Sequence, residues 1–419
     1  MANPMSVPMF SPDGRSRCCS STSRLAKGEF MSNRYPTVLL RSLFVFLVFC
    51  TLLIPTIAQG QAIIKVNDNV NFRLGVLLQG WADATQDPST QDYIQQIFLR
   101  RMRILLGGQI SPNVSFFFET DNPNLGRTPK VLNTGFITQD AFVEWKPMGK
   151  NSFIIDGGLF LPALCRNCIE SAASLLSLDY GTWSFLESAV TQSSVGRDTG
   201  IQAKGYLMGN KLEYRAGVFN GFRQPAAAGE GPASNPMRFT GRLSYNPWDT
   251  EIGYVYPGMY FGNKKVLQFG GGFDHQENYN ALTADAFLSL PMGPAPATPA
   301  VTPGAPPPPA PNRNALNAEV ALYQFDGDTT FTTLPKQNDF TIQAGYYLAG
   351  PKVMPWIRYE KQDFDAASRQ GGNNDRQQVG FTWFPNGHNF NAKAAYSHTN
   401  LRTGNDSDQF TVQLQFFYY

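Results

Sequence analysis

From Val70 to Tyr419 the chain is written in short segments whose side chains alternate between apolar and polar, broken by turns. Met237-Arg238-Phe239-Thr240-Gly241-Arg242-Leu243-Ser244-Tyr245 alternates throughout and stops at Asn246-Pro247. Lys211 to Phe219 alternates as far as Phe219, and Phe410 to Phe416 repeats the pattern at the C-terminus. A period of two puts successive side chains on opposite faces of a strand, so each segment has one apolar and one polar face. The apolar face packs on a second sheet in a sandwich, or meets lipid around a closed barrel. Composition separates the two. Charged residues are only 16% and aromatics reach 13%, against roughly a quarter charged in soluble proteins. A mean hydropathy of −0.26 excludes a bundle of membrane helices, since each span needs about 20 mostly apolar residues. The apolar and aromatic content excludes disorder for most of the chain. The reading is all-β: a closed antiparallel transmembrane β-barrel.

Loop lengths support it. Short turns at Ser111-Pro112-Asn113, Met208-Gly209-Asn210, Ala349-Gly350-Pro351 and Pro385-Asn386-Gly387 alternate with longer polar connections, as at 83–96, 120–135, 220–236, 362–375 and 400–406. Outer-membrane barrels have this asymmetry, and bacterial ones have an even strand number. Counting from Asn71 gives 17 segments, an odd number that implies one segment merged or split, placed between Thr250 and Leu290; the expectation is 16 strands, with 18 as the alternative. The Pro-rich tract 291–311 cannot join a ladder and is a loop. Gly270-Gly271-Gly272 falls inside a strand and marks a bend or close packing.

One apolar run, Ser42 to Ile54, follows Arg34 and Arg41 and precedes Pro55 and the small residues around Ala58-Gln59-Gly60. This is the layout of a secretory signal peptide, with cleavage after Gly60. Met31 opens a signal of ordinary length, which makes 1–30 an upstream, unstructured extension and 36–57 the signal helix; 61–419 is the barrel. Phe49 is too bulky for lipoprotein processing at Cys50. Residues 1–60 hold six of the 34 Lys/Arg and two of the 32 acids, so the remainder carries 28 basic and 30 acidic residues, net −2. Net charge thus gives no support to a nucleic-acid partner. Cys165 and Cys168 are the only cysteines after the signal, without the second pair that a structural zinc site needs, and in an exported chain read as a local disulfide.

In a 16-stranded barrel the lumen is wide enough for water. Alternation turns Arg101 and Arg103 inward together, with Met102, Ile104 and Leu106 outward. Arg215, Arg238 and Arg242 also face inward, and Lys204, Arg358 and Lys393 fit less strictly. Charge on the lipid face costs about 2–4 kcal/mol at midplane, and rings of Arg and Lys favour anions. The opposing reading is a wall ladder, in which these cations pair with inward acids such as Glu119, Glu144, Glu213 and Glu360. The connection from Leu161 to Gly196 is 36 residues long and too apolar for disorder. It is expected to fold into the barrel mouth, with a short helix at Glu170–Ser177 and the cysteines stapling its start. Of the three histidines, His388 lies in a turn and reads as solvated, while His275 and His398 lie near strand ends. None sits in a catalytic or metal motif, so no enzyme, metal or cofactor is expected.

Phe72-Arg73-Leu74-Gly75-Val76-Leu77-Leu78-Gln79-Gly80-Trp81-Ala82-Asp83 resembles the first strand of the phosphate-selective porin O and P family. Phe98-Leu99-Arg100-Arg101-Met102-Arg103-Ile104 resembles its double-arginine segment. Phe185-Leu186-Glu187-Ser188 with Gly196-Arg197-Asp198-Thr199-Gly200-Ile201 resembles its third-loop-to-strand passage, and Tyr214 to Gly221 the next strand. The lysine-rich groove of its phosphate-binding members has no counterpart here. The resemblance implies a homotrimeric bacterial outer-membrane porin that passes small hydrophilic solutes by diffusion and prefers anions, with phosphate as a candidate. The competing reading is an outer-membrane barrel with an adhesion or structural role.

Overall fold

A computed structural model describes residues 62–127, 135–190, 196–222, 236–294 and 312–419. The chain divides into two units, Met1–Gln59 and Gly60–Tyr419. The expected signal peptide and upstream extension, and residues 295–311 of the Pro-rich tract, lie outside the described residues.

The strands are β1 Ala62–Asn67, β2 Val70–Gln86, β3 Tyr93–Ser111, β4 Val114–Asp121, β5 Ile137–Trp145, β6 Ile154–Phe160, β7 Asp198–Leu207, β8 Leu212–Phe219 and β9 Arg238–Tyr245. After them come β10 Val266–Gln276, β11 Tyr279–Pro291, β12 Ala315–Asp326, β13 Gln337–Tyr347, β14 Val353–Phe364, β15 Asn374–Asn386, β16 Phe390–Leu401 and β17 Ser407–Tyr418. From β2 to β17 each pairs antiparallel with the next, and β17 returns onto β2, so 16 strands close the wall. Closure leaves no edge to be covered. The short β1 folds back on β2, with Ala62 opposite Leu74 where β17 has just ended with Tyr418 opposite Val76. The surplus alternating segment is Glu251–Tyr256: it reads like a strand but lies in the connection between β9 and β10. Pro291 is the last rung of β11, opposite Ala315, so the Pro-rich loop begins one residue later than expected. It leaves from the short-turn end of the barrel.

The wall is the inverse of a soluble protein. Leu243 is 60% exposed while its neighbour Arg242 is 3% exposed. Ile201 and Ile357 are likewise exposed beside buried Gln202 and Arg358. Water outside would make that apolar band costly, whereas lipid matches it. The polar faces turn inward, where they meet one another and the loop that fills much of the lumen.

Candidate functional site

Segment 161–190 enters from the long-loop end and lies inside the barrel, with Leu164, Ile169, Leu175, Leu176 and Leu178 all buried. Leu176 and Leu178 pack with Trp81, Phe98, Met259 and Trp356. Leu164, both cysteines and Trp183 pack with Tyr279, Tyr323 and Phe325. Cys165 and Cys168 form a disulfide. Among the described residues the expected helix at Glu170–Ser177 is replaced by a 3-10 turn at Asn167–Ile169, with a short helix at Glu187–Val190. The reason lies in the carbonyls. A helix needs them for its own amides, but here wall side chains take them. Gln79 Nε2 donates to Ala172 O (3.0 Å) and Gln415 Nε2 to Ala173 O (2.8 Å). Past that turn Lys393 Nζ donates to Leu175 O (3.0 Å) and Ser177 O, and Arg358 to Asp179 O and Tyr180 O, which hold the rest of the loop to the wall.

A second segment meets the loop from the short-turn end. Tyr256 N donates to Ile169 O (2.9 Å), Ser171 N to Tyr256 O (2.9 Å) and Gly258 N to Ser174 O (3.0 Å), a parallel bridge between chains entering from opposite ends. Arg166 ties them together. Its two terminal nitrogens hold Glu251 bidentately at 2.6 and 2.9 Å, and the guanidinium lies 3.6 Å from the Phe287 ring centre. Glu170 stands at 3.5 Å from its Nε. Burial, and then the Glu319 carboxylate, push the Glu170 carboxyl well above the ordinary range against the pull of Arg166.

All eight cations expected at the pore face inward, and all are buried. Their surroundings follow the ladder reading for most of them. Arg101 meets Asp179 (2.5 Å) and Gln79 (2.7 Å), and Arg103 meets Asp121 (2.9 Å) and Glu119 (3.1 Å). Three carboxylates face the Arg101/Arg103 pair, because the loop brings Asp179 to it. Burial alone would raise Asp179, yet Arg100 and Arg101 hold it well below the carboxylate range. Lys204 meets Glu144 and Asp156, Arg215 meets Glu213, Arg238 meets Asp274 and Asp198, and Arg242 meets Asp285. Register also sets Lys204, Arg215 and Arg242 side by side across β7, β8 and β9. Like charges opposite each other destabilise a sheet, which is why each needs its own acid. Arg358 and Lys393 have no ion pair among the described residues and hold loop carbonyls instead.

Hydrogen bonds hold the loop to β9 through β14, to β16 and β17, and to β2 and β3, so the open part of the lumen lies to the other side. A cavity of about 300 Å³ lies beside β3 to β5, lined among others by Arg103, Phe117, Glu119, Tyr180, Arg197 and Tyr254. Tyr254 Oη donates to Asp140 (2.5 Å) and accepts from Leu161 N (2.8 Å), with its ring 4.6 Å from Phe142. Arg166, Asp179 and Tyr254 escaped sequence reading; a lone Arg between two cysteines in an apolar loop was the available signal for the first.

Gly272 shows why the glycines of β10 matter. It faces inward, and a Cβ there would collide with the Leu164 carbonyl oxygen. Gly272→Val is therefore expected to keep the strand, which favours β-branched residues, and to push the loop off the wall. Raised single-channel conductance with unchanged barrel migration on a gel is the expected result; wild-type conductance would contradict it.

The histidines are apart from the loop. His388 is not solvated as expected: its ring lies 4.6 Å from Phe261 and 6.2 Å from Phe384, because the β9–β10 connection tucks beneath its turn. His398 pairs with Asp408 (2.7 Å), and His275 contacts Asn280 (2.8 Å).

No family model matches the chain, and no curated protein matches its sequence. Solved structures do match its fold. It is similar to Salmonella typhi OmpF in complex with daunomycin, at TM-score 0.55 and 16% identity, over 85% of this chain and all of that one. Pseudomonas putida OprB at high pH gives TM-score 0.54 and 7% identity, over 83% of this chain and 94% of that one. The anion-selective porin from Comamonas acidovorans gives 0.52 and 10%, over 83% of this chain and all of that one. The shared feature is the porin-type barrel fold.

Proposed function

We propose that the chain is a bacterial outer-membrane porin, exported by its signal peptide, through which small hydrophilic solutes diffuse passively. The observation that carries this reading is the inverted wall: a closed barrel, apolar outside, with an ion-paired interior narrowed by a long inner loop. Nothing in that interior needs chemistry or an energy source. Diffusion needs only a wetted path, and a cavity of about 300 Å³ lies beside β3 to β5. The family resemblance adds three finer statements: membership of the phosphate-selective porin O and P family, a homotrimer and a preference for anions, with phosphate a candidate. The acids facing Arg101 and Arg103 weaken the case for those two as a strong anion filter, and leave their contribution to be measured.

Purified protein in a planar bilayer is expected to give discrete open steps of small conductance, since two inner segments occupy the lumen. A folded protein that gives none would favour the structural or adhesive barrel. A salt gradient then reads ion preference from the reversal potential, and chemical cross-linking in detergent reads the trimer.

A further inference from the structure

At the long-loop end a second cavity, of about 230 Å³, is lined by Thr182, Trp183, Asn374, Arg376, Thr399 and Gln409, among others. Sequence reading passed over Arg376, and its environment differs from that of the paired arginines. Its cross-strand partner in the β14–β15 ladder is Glu360. An ion pair would be the ordinary outcome, but the loop takes that carboxylate away: Thr182 donates to it from its backbone N (2.6 Å) and its Oγ1 (2.9 Å). The next acid, Asp83, is occupied by Thr85, Gln409 and Thr411. Arg376 is left with one hydrogen bond, from Nη2 to Gln409 Oε1 (2.6 Å), and no ion pair among the described residues. Its Nε and the indole Nε1 of Trp183, a residue only 7% exposed, are buried donors without partners.

A buried donor without an acceptor is costly, and a guanidinium more so, so an anionic acceptor brought into this cavity beside Arg376 would be favourable. We infer that this cavity is a subsite for a small polyhydroxylated carboxylate. The carboxylate suits the planar guanidinium fork of Arg376. The hydroxyls suit the surrounding neutral groups: Thr399 Oγ1 makes no hydrogen bond to a described residue, and Asn374 Oδ1 accepts none. The volume has room for a solute of about a dozen non-hydrogen atoms. The inference rests on the diffusion reading only in bringing the solute to the lumen mouth.

Calorimetry on the full chain in detergent tests it with gluconate, acetate and sorbitol as probes. Gluconate is expected to bind at least about tenfold more tightly than either of the others, since it alone engages both sets of groups. Arg376→Gln should weaken gluconate at least about tenfold, and Thr399→Val should weaken gluconate while leaving acetate as it was. Gluconate no tighter than acetate and sorbitol on the folded wild type would overturn the site. So would gluconate binding unchanged by both substitutions. Bilayer conductance is read separately: gluconate binding without open steps would sink the diffusion reading and keep the subsite, and open steps without gluconate binding would do the reverse.

Discussion

Arg166→Ala is expected to open the lumen, with single-channel conductance rising at least about twofold while the barrel still forms. Arg166 is fully buried and holds Glu251 bidentately, so the substitution removes the tie between the inner loop and the segment that rises from the opposite end. Breaking one partner of a buried pair costs about 3–5 kcal/mol, because the other charge stays uncompensated. The loss falls on the inner segments and on their contacts with Gln268 and Phe287, and leaves intact the backbone ladder of the wall, which does not involve this side chain. Water entering around Glu251 lowers the cost only by separating the segments, which is the opening itself. Arg166→Lys should restore the contact in part, since an ammonium cannot make the two-pronged bond. Wild-type conductance in a folded Arg166→Ala protein would show that the parallel bridge between Ile169, Ser171 and Tyr256 suffices alone.

The double substitution Arg101→Ala/Arg103→Ala should lower the anion-to-cation permeability ratio several-fold, measured from the reversal potential under a salt gradient. Removing both guanidiniums leaves Asp179, Glu119 and Asp121 facing the lumen with two positive charges fewer. Charges on a pore wall act on an ion well inside the screening distance of about 8 Å at physiological ionic strength, so local balance outweighs the charge of the whole chain. The same variant frees Asp179 from Arg101, though Arg100 still holds it at 2.8 Å, so the loop stays near the wall. An unchanged reversal potential in the folded variant would place selectivity elsewhere along the lumen.

Much of this was legible beforehand. The period of two turned Arg101, Arg103, Arg215, Arg238 and Arg242 inward, because the alternation of side chains along a strand is a local property of the backbone; Lys204, Arg358 and Lys393 follow it less strictly, and the structure gives their side. The apolar content of 161–196 showed that the loop would not lie in water. The expected helix does not form, because Gln79 and Gln415 arrive from β2 and β17 to take the carbonyls of Ala172 and Ala173, which helix propensity cannot anticipate. His388 was misjudged for a similar reason, as Phe261 reaches it from 127 residues away in a chain of 419.

By itself the sequence determined the class of fold and the side of the wall on which the strictly alternating arginines lie. Tertiary structure alone decided which charges cancel. Arg101 meets Asp179 across 78 residues and Arg166 meets Glu251 across 85. Lys204, Arg215 and Arg242 become neighbours only through the register of three strands. Among the described residues Arg376 has no ion pair, because Thr182, 178 residues from Glu360, holds that carboxylate. Electrostatic interaction falls with distance in space and is indifferent to distance along the chain, so the pairing that governs a lumen is settled only when the barrel closes and its loop folds in.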